Sequence, residues 1–588
     1  MAFTKDIEEL IKEDSSGLLS KHESWERVLI SDIALVINGY AFKSAYFNSK
    51  GEGLPLIRIR DVISGDTETY YDGPFDEEYL ISSGDFLIGM DGDFNCAFWR
   101  SGNALLNQRV CKIDLKTGNY NFKLLSYLMP HYLNAINANT SSMTVKHLSS
   151  KTVNDILLPL PPKNEQTRIV EKLEELLSDL DNGVAELKAA QIKLTQYRQS
   201  LLKSAVEGSL TAEWRKQNKV SETGEQLLQR ILKERRERWE SEKLAEFKAK
   251  GKTPPKDWQS KYPEPVAPDI SELPELPEGW VWASVAQVCE LQGGIQKQPK
   301  RTPKENCYPF LRVANVYRNE LKLEEIHEVE LFDGELERLR LLEGDLLIVE
   351  GNGSKSEIGR CALWDGSIRN AVHQNHLIRA RPVLLSNPYL LHWLNSPIGI
   401  EIMGSLAVTT SGLYTLSVSK IARIPIPLPP TKEQNYIVDL VNSGLEVSSA
   451  EDTDIVASLK RSEAQRKNIL KDAFSGKLVP QDLEDEPASV LLERIKAERM
   501  EAAKQKKPKQ PKKKANKQTM NMETLEEVLK SKADWIEAQE AFRECGVTDG
   551  TETDRIEELY NELRKLDKAE RLDVERHGDY DMIRLISE

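Results

Sequence analysis

The sequence predicts a protein of mixed strands and helices, of the α/β (α+β) class, in which long antiparallel coiled-coil helices separate and hold two related domains. Three observations predict it. A seven-residue phrase at 160–166 (LPPKNEQ) recurs at 428–434 (LPPTKEQ), 268 residues later. Other residues recur in register, and leucines at 173, 180, 187, 194 and 201 keep a spacing of seven. A repeat this long indicates a duplicated domain, arranged as a pseudo-twofold internal repeat, rather than a solenoid.

The offset between the two copies drifts along the domains, from 254–255 near their start to 268 at their end, and then stays constant. It is 255 for Trp25 and Trp280, and it holds at 268 after the Leu-Pro-Pro phrase. Loops that lengthened between retained elements would produce this drift. The matched pairs include Pro55 and Pro309, Arg58 and Arg312, Gly84 and Gly344, Trp99 and Trp364, Gln108 and Gln374, Leu202 and Leu470, and Gly208 and Gly476.

Periodicity and composition divide the chain into eight segments. These are an N-terminal helical arm (1–24), a first α/β domain (25–162), central coiled-coil and spacer helices (163–250), a Pro-rich linker (251–278), a second α/β domain (279–430), a distal coiled-coil helix region (431–503), a Lys-rich linker (504–520) and an acidic helical C-terminal segment (521–588).

Short β-rich runs punctuated by Gly and Asn predict the strands of each domain. In the first domain they are 28–36, 54–59 and 85–89, with a helix near 122–133. In the second domain the matching runs are 281–291, 309–316 and 345–349, with a helical run at 388–402.

The heptad spacing predicts a coiled-coil helix that follows the first Leu-Pro-Pro phrase, with Gly183 as the one gap in its seam. The helix after the second phrase has a poorer apolar face, which Ser448 and Ser462 interrupt. A helix of about 42 residues is about 63 Å long. Two such helices, paired in antiparallel fashion, would place the two domains at opposite ends of a rod.

The net charge of −14 says little about a DNA partner, because the charge is unevenly distributed. Residues 521–588 hold 20 acidic and 10 basic side chains, whereas 504–517 hold eight lysines and no acid. Electrostatic forces on a duplex act within about 10 Å, so a remote acidic tail does not exclude DNA binding.

The cysteine positions and the hydropathy of the sequence indicate the cellular compartment to be expected. The six cysteines are scattered, without a Cys-x-x-Cys pair, which disfavours a disulfide framework or a zinc site and favours a reducing compartment. The charged N-terminus lacks the apolar core of a signal peptide, and no run approaches eighteen apolar residues. We therefore expect a cytoplasmic protein.

The sequence shows no recognisable catalytic motif, so we predict no catalytic residue, metal site or bound cofactor. Asn387-Pro388-Tyr389 lacks the second proline of the Asn-Pro-Pro-Tyr motif of adenine methyltransferases, and no Gly-rich turn precedes it, so it is expected to begin a helix. Residues 351–356 lack the spacing of a phosphate-binding P-loop and predict a turn.

Matched polar loops are the better functional candidates. Their scaffold residues agree between the copies, but the residues that could read bases differ, as expected for two readers of different short sequences. Ordinary turns, surface salt bridges and helix caps remain alternatives for these residues. The candidate DNA-binding residues are Lys43, Ser44, Arg58, Arg60, Asp61, Asn107, Gln108, Arg109, Thr140, Ser141 and Lys146 in the first domain, and Lys297, Arg312, Asn315, Lys355, His373, Gln374, Asn375, Thr410, Ser411 and Tyr414 in the second.

The set of motifs resembles the specificity (S) subunit of type I restriction-modification systems, and the length suggests the EcoAI-like group. The resemblance covers about residues 25–500. Its carriers are the Leu-Pro-Pro-x-x-Glu-Gln repeats, each with Ile-Val after it, the loop 39–44, residues 55–58, Gly84-Asp85 and the segment 208–215 (GSLTAEWR). The second copy departs from this pattern, since Val-Pro-Gln-Asp stands at 479–482 where the first copy has Thr-Ala-Glu-Trp-Arg.

The resemblance implies that each domain is a target recognition domain that reads half of an asymmetric, bipartite double-stranded DNA site. The helices would set the spacer and dock two modification (methyltransferase) subunits, which two restriction (ATP-dependent translocase and nuclease) subunits would join. S-adenosylmethionine, ATP and magnesium would belong to those partners. Two domains facing successive major grooves lie about 34–36 Å apart, which a rod of about 60 Å can span.

Two other functions are compatible with parts of the sequence. A methyltransferase or nuclease fused to its own target domain would need catalytic motifs that this sequence does not show. A coiled-coil adaptor without DNA binding would explain the helices but not the paired polar loops.

Overall fold

The computed structural model describes residues 5–140, 146–410, 412–505, 524–532, 534–547, 553–569, 571–577 and 580–586. Its backbone forms two compact units. The first comprises Met1–Val184 and Lys460–Glu588, and the second comprises Ala185–Leu459. Two helices of 44 residues, α6 (Lys163–Val206) and α14 (Thr431–Phe474), each contribute to both units.

The first unit contains the first α/β domain, which begins after one short helix. Its helices are α1 (Ile7–Lys12), α2 (Ile30–Ile33), α3 (Asp61–Ser64), α4 (Phe122–Ala138) and α5 (Ser150–Asn154). Its strands are β1 (Glu26–Leu29), β2 (Ala34–Asn38), β3 (Phe47–Asn48), β4 (Leu54–Ile57), β5 (Tyr70–Tyr71), β6 (Leu80–Ile81), β7 (Phe86–Gly89), β8 (Asn95–Phe98), β9 (Ala104–Leu106), β10 (Val110–Leu115) and β11 (Leu157–Leu160). They form the sheets β2-β10-β7-β8, β3-β5-β4-β9-β6 and β1-β11.

The second unit contains the second α/β domain and two helices that precede it. Its helices are α7 (Ala212–Gln217), α8 (Gly224–Ala249), α9 (Val285–Val288), α10 (Glu335–Leu339), α11 (Asn387–Leu394), α12 (Pro397–Leu406) and α13 (Val418–Ile421). Its strands are β12 (Val281–Ser284), β13 (Cys289–Gly293), β14 (Cys307–Leu311), β15 (Val316–Tyr317), β16 (Glu320–Leu321), β17 (His327–Glu330), β18 (Leu346–Val349), β19 (Gly351–Asn352), β20 (Cys361–Leu363), β21 (Val372–His373), β22 (Leu377–Pro382), β23 (Val408–Thr410), β24 (Leu413–Thr415) and β25 (Pro425–Leu428). Its sheets are β13-β22-β18-β20, β17-β14-β21, β19-β24-β23, β15-β16 and β12-β25.

The two domains share one framework. The antiparallel sheet β2-β10-β7-β8 has its counterpart in β13-β22-β18-β20, and the parallel pair β4–β9 has its counterpart in β14–β21. The pair β1–β11 corresponds to β12–β25. Mixed strands and helices, repeated in the same order and joined by long helices, confirm the predicted fold class.

Several predicted elements are interrupted in the structure. A one-turn helix splits each first predicted strand, with α2 between β1 and β2 and α9 between β12 and β13. The helical run predicted at 388–402 consists of α11 and α12, because Pro397 begins a new helix with Ser396 as its N-cap. Asn387 begins α11, as predicted. Over the described part of the N-terminal arm, residues 5–24, the chain is helical only in α1.

The repeated phrase joins each domain to its long helix through two buried side chains. The Glu165 carboxylate accepts a hydrogen bond from the Trp25 indole at 3.0 Å, and Glu433 accepts one from Trp280 at 2.9 Å. The next residue, Gln166 or Gln434, donates its amide N–H to the carbonyl of Pro161 or Pro429 at 2.9 Å. These bonds explain why tryptophan, glutamate and glutamine recur together.

The same glutamines also tie the long helices to helices of the domains. The Gln166 side-chain oxygen accepts the backbone N–H of Asn121, the N-cap of α4, at 2.7 Å. The Gln434 oxygen accepts the N–H of Ser386, the N-cap of α11, at 3.0 Å. Each junction therefore supplies a partner to a backbone donor at a helix start.

Within the second unit, α6 and α14 run antiparallel, as predicted. Gln191 donates to Asp452 at 3.1 Å, and Arg198 donates to the Ser448 hydroxyl and carbonyl at 2.7 and 2.9 Å. Ser448 is buried, and its bonds to Arg198 account for the break in the apolar seam. Gly444 lies against Leu201, whose Cδ2 would be 2.6 Å from an added Cβ.

The C-terminal segment is not purely helical, which corrects the prediction. After α14 the chain forms α15 (Ala488–Gln505). The C-terminal segment then contains α16 (Leu525–Lys532), β26 (Ile536–Glu537), α17 (Ala538–Glu544), α18 (Thr553–Lys568), β27 (Leu572–His577) and β28 (Tyr580–Leu585), with sheet order β26-β28-β27. This is the element order of a winged-helix domain, and it has its own small core. The helical periodicity over 525–566 predicted helices alone. The strands β27 and β28 were not predicted because each has only six residues and is rich in charge.

Among the described residues, none of the helices combines the length and the apolar character needed to cross a bilayer.

Candidate nucleic-acid interface

Two matched glycines bring the predicted polar loops together in each domain. A Cβ on Gly39 would lie 2.0 Å from the Asn107 carbonyl oxygen, and one on Gly294 would lie 2.2 Å from that of Gln374. The loop after β2 therefore touches the loop after β9, and the loop after β13 touches the loop after β21. Glycine is required here for the close approach of two backbone segments.

Backbone hydrogen bonds hold both loop pairs. In the first domain the Gln108 N–H donates to the Tyr40 carbonyl at 2.8 Å, and the Tyr40 N–H donates to Leu106 at 2.9 Å. In the second domain the Ile295 N–H donates to His373 and the Asn375 N–H donates to Ile295, both at 2.8 Å. The predicted candidates on these loops thus come together on a rigid framework.

Several candidates project from this framework into solvent. Lys43 and Ser44 are exposed in the first domain, and Lys297 is exposed at the corresponding loop of the second. Gln108, Gln374 and Asn375 are partly exposed beside them. These side chains are positioned to contact a ligand.

Asn107 and His373 are both buried. The strand pairing corrects the predicted register by one residue, because it matches Leu106 with His373 and Asn107 with Gln374. Asn107 Oδ1 and His373 Nε2 have no hydrogen-bond partner among the described residues. Burial lowers the pKa of His373 to about 4, and its Nδ1 contacts the Leu377 carbonyl at 3.0 Å. Buried polar atoms without partners are rare in folded proteins and often occur at functional sites.

Asp61 and Asn315 hold the turns that carry the predicted arginines. The Asp61 carboxylate accepts the Arg58 N–H at 2.9 Å, and the Asn315 side-chain oxygen accepts the Arg312 N–H at 2.8 Å. Both acceptors are buried, and burial raises the pKa of Asp61. Their polar atoms are used inside the domain, whereas the arginine side chains lie at the surface.

The arginines differ in how tightly they are held. Arg60 is largely exposed and lies 3.7 Å from Asp61, while Arg58 lies 3.9 Å from the same carboxylate. Arg312 is paired with Glu325 at 3.1 Å. Arg58 and Arg60 are therefore the more available cations.

Arg109 belongs to a charged cluster that the sequence did not predict. Its backbone is left-handed (φ 71°), and its guanidinium donates to Asp91 at 2.9 Å. His147 Nδ1 contacts the other oxygen of Asp91 at 2.5 Å. The cluster fixes Arg109 beside the loop of Gln108.

The candidate residues on the hydroxyl-rich loops are either bonded within the first domain or not described by the structure. Thr140 is buried and donates to the Ile136 carbonyl at 2.7 Å, and the Lys146 amine donates to Asn137 at 2.7 and 2.9 Å. Both have structural roles. Ser141 and Ser411 lie outside the described residues, and the Thr410 side chain is not described either.

The remaining candidates of the second domain lie near one another in the strand network. Tyr414 lies on β24, where it pairs with Asn352 of β19. Lys355 is exposed on the loop that follows β19. The Lys355 side chain lies near Gly404 of α12, whereas Tyr414 is partly buried against the core of the second domain.

Comparison with known proteins identifies the family. A family model for the type I restriction modification DNA specificity domain matches residues 22–191. The chain is 33% identical over 514 residues to the type I restriction enzyme EcoBI specificity subunit of Escherichia coli, which covers 84% of this chain and 97% of that protein. The chain belongs to the family of type I restriction enzyme specificity subunits. The family expected from the sequence motifs is thus confirmed.

Two further comparisons concern this specificity subunit. It is 30% identical over 193 residues to the EcoAI specificity subunit of Escherichia coli, a match that covers 29% of this chain and 31% of that protein. A chain in a solved structure of the type I R-M system covers 78% of this chain and 99% of its own length, with TM-score 0.52 and 17% identity. The second comparison supports the fold.

Sequence reasoning missed the aromatic side chains of the specificity subunit's loops. Tyr40 is 49% exposed, and its ring packs 5.1 Å from Tyr79 and 5.2 Å from Phe42. It stands next to Gly39, on a backbone that is bonded on both sides. The exposed Tyr46 belongs to the same aromatic group. The position of Tyr40 directly after the predicted glycine turn at Gly39 could have indicated an exposed ring in this loop.

Proposed function

We propose that this specificity subunit binds an asymmetric, bipartite double-stranded DNA site, with one α/β domain (25–162 or 279–430) acting on each half. The observation that carries this is the pair of loop frameworks built on Gly39 and Gly294. The frameworks are the same in backbone, but the side chains on them differ. Two binding surfaces of equal construction and different chemistry suit two different half-sites.

The contact residues that we propose are fewer than the candidates predicted from the sequence. Side chains that lie at the surface of the loop frameworks are retained, whereas Asp61, Asn315, Thr140 and Lys146 support the loops from within. The proposed contacts are Lys43, Ser44, Arg58, Arg60, Gln108 and Arg109 in the first domain, and Lys297, Arg312, Lys355, Gln374, Asn375 and Tyr414 in the second.

Exposed apolar residues on the long helices support docking of protein subunits. On the part of the helix pair in the second unit, Ile192 is 61% exposed and Val447 is 58% exposed, and Tyr197 and Val456 are also exposed. Such residues on a two-helix pair suit further helices packed alongside. We propose two modification subunits as these partners, with two restriction subunits joining them.

The proposed division of labour makes this chain a non-catalytic subunit. It would direct adenine methylation and restriction, while its partners bind S-adenosylmethionine, ATP and magnesium. Since chromosomal and incoming DNA meet such a complex in the cytoplasm, we propose that compartment.

The test is to co-purify the chain with its modification subunit and to map methylated adenines genome-wide. A single split motif, methylated on both strands and lost when this chain is deleted, is the expected result. Replacement of residues 279–430 by the corresponding domain of another specificity subunit should change one half of the motif only. Methylation that persists unchanged without this chain would refute the proposal.

A further inference from the structure

The second domain carries a small hairpin at a place where the first domain has a helix. Strands β15 and β16 pair across a two-residue turn of Arg318 and Asn319, in which Asn319 adopts a left-handed backbone (φ 61°). This hairpin follows Asn315. In the first domain the matching residue, Asp61, begins α3 instead. The hairpin therefore distinguishes the second domain.

Two cations lie over an exposed ring on this hairpin. Tyr317 is 38% exposed, the Lys322 ammonium lies 4.5 Å from the ring centroid, and the Arg360 guanidinium lies 5.1 Å from it. Arg360 is held in place, because it donates to the Val313 carbonyl at 3.1 Å and to Glu357 at 3.5 Å. Lys322 is exposed, and none of the carboxylates among the described residues forms an ion pair with it. We name Tyr317, Lys322 and Arg360 the hairpin patch.

The hairpin patch is continuous with the proposed reading loops. Arg318 donates to the Ser356 carbonyl at 2.9 Å, which ties the hairpin to the loop that carries Lys355. That loop follows β19, where Asn352 pairs with Tyr414. Just before β19, the Glu350 N–H donates to the His376 carbonyl at 2.9 Å, which connects this region to the loop of residues 373–376.

We infer that the hairpin patch is a DNA-backbone contact of the second domain, in which the Lys322 ammonium binds a phosphate. The inference rests on the proposed function and deepens it. Cations beside the grooves fix the position of a protein on the duplex without reading sequence. The ring of Tyr317 holds the ammonium over its face, and Arg360 holds the ring from the domain side. Glu357 is occupied by Arg360, which leaves Glu320 as the exposed carboxylate of the hairpin.

The experiment measures how DNA affinity of the complex with modification subunits depends on salt. Each phosphate contact contributes about 0.9 to the slope of log K against log salt concentration. Lys322→Gln is therefore expected to lower that slope by about 0.9, so its loss of affinity is about 3.5-fold greater at 50 mM than at 200 mM salt. The methylated motif should remain unchanged, because a phosphate contact carries no sequence information.

Two variants make the result specific. Lys322→Arg keeps the charge and should keep the parental slope. Lys233→Gln removes an exposed lysine of α8 that lies 3.8 Å from Glu237, and it should also keep the slope. A parental slope in Lys322→Gln, or an equal fall in Lys233→Gln, would overturn the inference. A parental complex without sequence-selective, salt-dependent binding would instead refute the proposed function itself.

Discussion

Replacing Glu433 by glutamine should loosen the second helix junction far more than the matched change Glu165→Gln loosens the first. Glu433 is buried and accepts bonds from Trp280 at 2.9 Å, Thr211 at 2.6 Å and Arg215 at 2.5 Å. Arg215 is itself mostly buried and lies 5.6 Å from the Trp280 ring. The variant would leave this arginine without its anion.

The expected magnitudes follow from the partners. Removing one member of a buried ion pair typically costs 3–5 kcal/mol, and we expect about 3 kcal/mol for Glu433→Gln, because Arg215 keeps its bonds to Thr211 and Gly208. Glu165 has the neutral donors Trp25 and Gln481, and burial raises the pKa of its carboxyl. Glutamine is neutral and avoids the cost of burying a charge at this position. We therefore expect the free energy of unfolding to change by about 1 kcal/mol or less.

Hydrogen exchange read by mass spectrometry can measure the two junctions separately in one molecule. Amides of residues 206–217 should lose protection in Glu433→Gln, by a factor of about 100 for about 3 kcal/mol. Amides of residues 474–486 should change little in Glu165→Gln. Equal losses at both junctions, or a larger loss at the first, would refute the assignment of the ion pair as the stronger tie.

Three further outcomes can be checked. Burial lowers the pKa of His373 to about 4, compared with about 6.5 in the unfolded chain. The neutral imidazole therefore contributes fully to the free energy of unfolding above pH 6.5, and about 3 kcal/mol of that free energy is lost as the pH falls to 4. Urea unfolding at about pH 7 and pH 4.5 should show this loss in the parent but not in His373→Asn, because asparagine does not titrate. Gly294→Ala should abolish recognition of one half-site in a methylation map, because backbone atoms cannot yield to its Cβ, whereas Gly118→Ala, with open space around it, should not. A chain that ends at residue 520, which keeps the Lys-rich linker, should methylate the same motif, because the deleted residues 521–588 carry 20 acids and 10 bases and would repel phosphates; a changed motif would contradict this.

The sequence predicted the duplication and the long helices because both depend on periodicity. The Leu-Pro-Pro-x-x-Glu-Gln phrase recurs because Glu165, Gln166 and their counterparts bond to fixed partners. The one-turn helices α2 and α9 were not predictable, because four residues are too few to establish a helical period. The strands of the C-terminal domain were not predicted for a similar reason. Charged residues in and around β27 obscure the alternation of apolar and polar residues that indicates a strand.

Candidate site residues were harder to sort because residue type does not reveal burial. Arg58 and Asp61 look equally polar in the sequence, yet Asp61 is buried as a turn acceptor and Arg58 lies at the surface. Lys146 resembles a phosphate ligand, but its amine is bonded to Asn137. The sequence thus identified the loops, while only the packing separated supporting residues from available ones.

The junctions also indicate where a domain exchange should be cut. An exchange of residues 279–430 moves Trp280 with the domain and leaves Glu433 and Gln434 on the long helix. Any incoming domain that presents an indole N–H and a helix N-cap N–H at the matched places can restore both bonds, as Trp25 and the Asn121 backbone do for the first domain. Because Arg215 stays with the recipient, the ion pair is restored as well. Recognition can therefore be changed in one half without rebuilding the contacts that hold the domain.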